Sequence, residues 1–181
     1  MFDREFENGC VLILGGAKSG KSTLALRLCE DMERSLIFFA TAEARDAEME
    51  ERIGRHRSER GDRWTTVEEP LELRSRIKEL DREDTVILVD CLTLWLSNLF
   101  MRHEDDREEI YRQINGLADG LKGLKGVVVL VSNEVGEGIV PENRLARDFR
   151  DAAGYMNQHM AAVARKVIVT FAGLPMILKD E

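Results

Sequence analysis

One stretch constrains this chain more than any other: Val11-Leu12-Ile13-Leu14 running into Gly15-Gly16-Ala17-Lys18-Ser19-Gly20-Lys21-Ser22. The second half fits GxxxxGK[ST], and it stands between an apolar strand pattern and a helical pattern marked by Leu24 and Leu28. Such a segment wraps a polyphosphate. Its glycines let backbone N–H groups turn inward, and the following helix N-terminus adds a positive dipole end. Lys21 is placed to reach the β- and γ-phosphates, and the Ser22 hydroxyl to help hold Mg²⁺. A strand–loop–helix of this kind belongs in a parallel sheet, so the rest of the chain must supply one.

It does so by alternation. Short β-branched runs predict strands near 10–14, 36–40, 85–90, 127–132 and 167–171, with a last short one at 176–178 after a Gly173-Leu174-Pro175 turn. Most of these runs are continuously apolar, as in a sheet covered on both faces. Helical patterns are expected near 22–33, 45–60, 71–80, 92–120 and 142–165. The last carries an apolar stripe of Leu145, Phe149, Ala152, Met156, Met160 and Val163, with Pro141 at its start. No repeat or linker divides the sequence. The expected architecture is α/β: a P-loop NTPase-type, doubly wound, mostly parallel sheet with helices on both faces. Residues 1–9 read as an N-terminal extension and 10–181 as a single nucleotide-binding domain.

Composition removes several functions. Acidic residues outnumber basic ones 34 to 26 among 181 residues, for a net charge of −8. That balance argues against a nucleic-acid or anionic-membrane partner. No apolar run is long enough for a membrane anchor. Cys10, Cys29 and Cys91 are odd in number and show no metal-ligand spacing, so neither a disulfide framework nor structural zinc is expected. The opening MFDREFENGC has no apolar signal core, and a cytoplasmic, reducing setting is the expectation.

Two further residues could carry chemistry. Asp90 ends the run Thr85-Val86-Ile87-Leu88-Val89, at the strand edge where α/β sheets bind ligands. It resembles a Walker B carboxylate that supports Mg²⁺; the other reading is an N-cap for the helix beginning near Leu92. His56 shares a helical face with Met49 and Ile53, as a packed core residue would, yet Arg55 and Arg57 flank it. Their charge disfavours protonation and keeps the imidazole nucleophilic, and the same guanidiniums suit phosphate oxygens. Residue types alone leave both roles of His56 open.

The longer pattern resembles a known family. The blocks are GGAKSGKS, ATA at 40–42, RIGRHRSERGDRWTTVEEP at 52–70, VDCLTLWLSN at 89–98, SNEVGEGIVPENRLARDFRDAAGYMNQ at 132–158 and AGLP at 172–175. In this order they resemble the bifunctional adenosylcobinamide kinase/adenosylcobinamide-phosphate guanylyltransferases of cobalamin biosynthesis. The resemblance implies a guanylyl–histidine intermediate at His56. It implies GTP contacts at Gly15, Gly16, Ala17, Lys18, Ser19, Gly20, Lys21, Ser22, Ala40, Thr41, Ala42, Arg57, Ser58, Glu59, Arg60, Glu68 and Asp90. GTP and ATP are then substrates alongside a corrinoid, Ser22 and Asp90 serve Mg²⁺, and the chain assembles as a homotrimer. The Asn133–Asn157 block, with Arg144, Arg147 and Asp151 on the polar side of its helix, is expected to bind corrinoid or a neighbouring subunit. The rival readings are another small-molecule P-loop kinase with a structural His56, or a nucleotide-dependent switch protein.

Overall fold

The computed structural model describes residues 6, 8–43, 61–104 and 106–181. Seven strands form one sheet: β1 (Gly9–Gly15), β2 (Ser35–Ala40), β3 (Trp64–Glu68), β4 (Thr85–Asp90), β5 (Val127–Asn133), β6 (Lys166–Phe171) and β7 (Leu174–Asp180). Their order is β3-β2-β4-β5-β1-β6-β7. Every neighbouring pair is parallel except β6 with β7. The described helices are α1 (Lys21–Glu30), α2 (Leu73–Leu80), α3 (Leu92–His103), α4 (Arg107–Gly120) and α5 (Arg144–Val163). The expected doubly wound α/β class is what forms.

Burial explains the runs. Val86 to Val89 and Val127 to Val131 are fully buried, because one side of each central strand meets α1 and the other meets the opposite helical layer. Each such side chain contributes about 1.5–3 kcal/mol relative to exposure, so a continuous apolar strand is stable only in the middle of a covered sheet. Ala25, Leu28 and Cys29 of α1 close one face. Leu73, Ile77, Leu92, Trp95, Ile110, Ile114 and Met156, from α2 to α5, close the other. The Trp95 indole N–H donates to the Leu71 carbonyl at 2.8 Å, so the largest buried ring leaves no unsatisfied donor.

Several expectations need correction. The stretch read as one helix over 92–120 is two helices, broken where Glu104 takes a left-handed φ of 43°. Asp106 then caps α4, accepting from the Glu109 N–H at 3.0 Å. β3 was not expected; it is the edge strand beside β2, and its mixed sequence lacks the buried-strand signature. The last strand starts at Leu174 rather than 176, with the turn at Ala172-Gly173. Pro175 lies inside it, tolerated because β7 is an edge. Asn143, not Pro141, begins α5, accepting from the Ala146 N–H at 3.2 Å. Leu145 in the first turn of α5 is 61% exposed, so the buried stripe starts only at Phe149 and Ala152. The helix expected over 45–60 lies outside the described residues. The extension is tied in at its end: Gly9 already belongs to β1, and the Arg165 guanidinium donates to the Asn8 carbonyl at 3.0 Å and sits 5.4 Å from the Phe6 ring centre.

All three cysteines are buried and reduced. Burial pushes the Cys10 thiol up to about 12. Burial, helped by the neighbouring Asp90 charge, pushes Cys91 up to about 11, and burial likewise raises Cys29. At pH 8 each stays protonated and inaccessible. Native protein is therefore expected to show no fast reaction with a chromogenic disulfide reagent at pH 8, and three thiols per chain after denaturation. Rapid native labelling would contradict this packing.

Candidate active site

The phosphate cradle is built at the C-terminal end of β1 and is braced from β6. Gly15 is the last residue of β1, and a Cβ there would fall 2.5 Å from both the Ser19 and Thr170 hydroxyls. Only glycine fits so close an approach. The two hydroxyls share a 2.7 Å hydrogen bond, and Thr170 Oγ1 also donates to the Leu14 carbonyl at 3.2 Å. The Gly173 N–H, from the β6–β7 turn, donates to the Ser19 carbonyl at 2.9 Å. Gly20, at φ 96°, turns the chain into α1 as its N-cap, with no side-chain cap competing for the helix N–H groups. Those groups are the donors an anion would take.

Lys21 opens α1. It is 8% exposed, and its ammonium donates to the Gly16 carbonyl at 2.9 Å, which folds it back over the loop. Ser22 follows, half-buried. Gly16, Ala17 and Lys18 are exposed at the loop tip, with Lys18 at φ 56°. β5 separates β4 from β1, so Asp90 stands two strands from the cradle, roughly 10 Å at ordinary strand spacing. The Asp90 carboxylate raises the Cys91 thiol and the Lys21 ammonium lowers it. The capping reading of Asp90 does not hold: Cys91 is the N-cap of α3, without a side-chain cap.

The register extends the row. Glu68, Ala40 and Asp90 lie side by side at the ends of β3, β2 and β4. Thr41 is fully buried; its hydroxyl accepts from the Cys91 N–H and donates to the Cys91 carbonyl, both at 2.8 Å. Asn98 of α3 donates to the Thr41 carbonyl at 2.8 Å and to the Pro70 carbonyl at 3.1 Å. Thr41 thus fastens β2 to the turn after β4, and its side chain faces inward. Ala42 is half-buried beyond it and Glu68 is exposed. His56, Arg57, Ser58, Glu59 and Arg60 lie outside the described residues. Arg147 donates to the Pro141 carbonyl at 2.9 Å, Arg144 pairs with Asp148 at 3.7 Å and Asp151 with Arg150 at 3.3 Å, so these groups brace the entry to α5.

Sequence reasoning did not single out Thr170, Gly173 or Asn98 as site residues. The first glycine of a P-loop implies a close approach, but nothing in the sequence says that Thr170 and Gly173 supply it. Among the described residues no cluster of three or more His, Cys, Asp or Glu side chains could hold a metal alone. Ser22 and Asp90 still fit Mg²⁺, which is ordinarily held by one or two protein oxygens with phosphate and water completing the shell.

Comparison with known proteins decides the family. Residues 11–178 match the family described as cobinamide kinase / cobinamide phosphate guanyltransferase. The chain belongs to this family. A bifunctional adenosylcobalamin biosynthesis protein of Pseudomonas aeruginosa is 45% identical, the alignment covering 94% of this chain and 97% of the relative. Its Escherichia coli counterpart is 37% identical over 93% of this chain and 99% of the relative. A solved KaiC-like protein of Pyrococcus horikoshii shares the fold alone, with a TM-score of 0.53 at 15% identity, covering 97% of this chain and 80% of that one. Among the described residues no helix is long and apolar enough to cross a membrane.

The cradle makes a direct prediction. Lys21→Ala removes the cation folded over the loop, so nucleoside triphosphate binding by calorimetry and phosphoryl transfer should both fall, the latter by several orders of magnitude. Near-normal rates in a folded variant would remove Lys21 from the site.

Proposed function

We propose that this chain phosphorylates adenosylcobinamide with ATP or GTP, then transfers GMP from GTP through His56 to adenosylcobinamide phosphate, giving adenosyl-GDP-cobinamide. The observation that carries this reading is the extent of the family match. It spans the braced cradle at 15–22, Asp90 at the same sheet edge and the 52–70 block that contains His56. A generic P-loop kinase would share only the first two.

In the kinase step the γ-phosphoryl passes to the cobinamide hydroxyl, a reaction that depends on positioning and charge neutralisation. The loop N–H groups and Lys21 hold the phosphates. Ser22 and Asp90 would hold Mg²⁺, which when bound neutralises charge on the phosphate oxygens. In the guanylyl step the neutral His56 imidazole attacks the α-phosphorus of GTP. The new N–P bond forms as pyrophosphate leaves, and the corrinoid phosphate then displaces the imidazole. One difficult displacement becomes two easier ones. Ala40, Thr41, Ala42, Arg57, Ser58, Glu59, Arg60 and Glu68 complete the GTP site in this reading.

The assembly is proposed to be a homotrimer. A closed ring requires two different patches that meet. Among the described residues apolar side chains are exposed in two places: Phe171, Leu174, Met176 and Leu178 along the β6–β7 edge, and Ile139, Val140 and Leu145 before and at the start of α5. Light scattering should give three chain masses, and Leu178→Lys should shift the population toward monomer; a monomeric wild type would overturn the trimer.

His56 separates this function from its rivals. Wild-type protein incubated with α-labelled GTP and Mg²⁺ should acquire label on the peptide containing His56, labile in acid and comparatively stable in base. His56→Ala should abolish that label while phosphorylation of adenosylcobinamide remains measurable. Label at the wild-type level in His56→Ala, or label mapping elsewhere, would falsify the proposed nucleophile.

A further inference from the structure

β5 ends in the middle of the sheet, between the strand that delivers the cradle and the strand that delivers Asp90. Its last residue, Asn133, lies opposite Gly15, and Glu134 comes next. The Glu134 N–H donates to the Gly15 carbonyl at 3.1 Å, joining this tip to the first glycine of the cradle. The Asn133 N–H donates to Thr93 Oγ1 at 2.8 Å, joining it to the first turn of α3 just past Asp90. The third tie comes from Asn157, in the middle of α5 and 5% exposed. Its amide N–H groups donate to the Asn133 carbonyl at 3.2 Å and to Glu134 Oε1 at 2.7 Å, and its Oδ1 accepts from the Ser132 hydroxyl at 2.7 Å.

Asparagine is a poor residue for a helix interior, and a buried amide is costly unless it is bonded. Here every bond that Asn157 makes holds the β5 tip. The outcome is a half-buried carboxylate, fixed through one oxygen by Asn157 and carried on a backbone that bonds the first glycine of the cradle. The other oxygen, Oε2, makes no hydrogen bond among the described residues. A carboxylate has no use as a phosphate ligand there, because its charge opposes that of the phosphate. It suits a proton acceptor.

We propose that Glu134 is the catalytic base of the phosphoryl-transfer step and that Asn157 is its positioning residue. This rests on the kinase reading above. The acceptor hydroxyl loses its proton to Glu134 as its oxygen forms the new bond to the γ-phosphorus. The bond from that phosphorus to the bridging oxygen breaks, and the nucleoside diphosphate leaves with the electron pair. Glu134 then returns the proton to water. The guanylyl step makes no such demand, because a neutral imidazole attacks first and an already ionised phosphate attacks second. The role is therefore specific to one of the two reactions.

Glu134→Gln tests it, since glutamine can still accept from Asn157 and the fold should keep its melting temperature. With γ-labelled ATP and adenosylcobinamide, kcat for phosphorylation should fall about 10²–10⁴-fold, the usual worth of a general base. KM for adenosylcobinamide should stay within about three-fold, and uptake of α-label from GTP should proceed at the wild-type rate. Asn157→Ala should lower the same kcat by roughly ten-fold, and the Glu134→Gln/Asn157→Ala pair should be no slower than Glu134→Gln alone, as for residues that act as one unit. A kcat within three-fold of wild type in Glu134→Gln overturns the proposal, as does a parallel loss of both activities or a change confined to KM. A double variant slower by the product of the single effects overturns the role of Asn157. If wild-type protein takes up α-label but phosphorylates no adenosylcobinamide, the kinase reading fails first, and that is settled before any variant is made.

Discussion

The phosphate cradle depends on a contact behind it. Gly15 has no room for a Cβ because the Ser19 and Thr170 hydroxyls stand there, sharing a hydrogen bond beneath the loop. A P-loop must present N–H groups inward, and in a flexible loop the ordering cost would be charged against nucleotide binding. Here Thr170 from β6 and the Gly173 N–H from the β6–β7 turn hold it from the sheet side. β6 and the turn that follows it thus serve the site, although they contribute nothing to the row of Glu68, Ala40 and Asp90.

A second frame holds the other half of that edge. Thr41 bonds both backbone groups of Cys91, and Asn98 bonds the Thr41 and Pro70 carbonyls. Asn157 and Thr93 secure the tip of β5 between the two halves. Thr41, Asn98 and Asn157 are buried and bond backbone groups, and Asn157 also bonds the Ser132 and Glu134 side chains. Buried polar networks of this kind rigidify when complete. The sheet edge is thereby preorganised for phosphate chemistry, consistent with the membership of a kinase and guanylyltransferase family.

The parts legible in the sequence were those governed by local or one-dimensional signals. Strands buried on both faces announce themselves as continuous apolar runs, and β4 and β5 lie where those runs do. The P-loop is a local motif with a fixed context. β3 was missed because an edge strand needs no such run, and Trp-Thr-Thr-Val-Glu is half polar. The break between α3 and α4 rests on Glu104 in a left-handed conformation that glutamate rarely adopts, so no residue type warned of it. A signal was present two residues on, where Asp106 stands three before Glu109 in a capping pattern. At the candidate site, Lys21, Ser22 and Asp90 stand out in the sequence as residue types at fixed spacings. Thr170, Gly173 and Asn98 do not, because their roles come from contacts across the sheet that no sequence separation encodes.

The position of the brace also bears on the order in which the molecule becomes competent. The cradle is specified by residues 15–22, yet one of the groups that fix its shape, Thr170, lies 151 positions beyond Ser19, and Gly173 follows it. The chain could pair β1 with β5 before either joins, but its loop would lack support beneath Ser19. The shape of the cradle is accordingly settled only once β6 and the β6–β7 turn have joined β1.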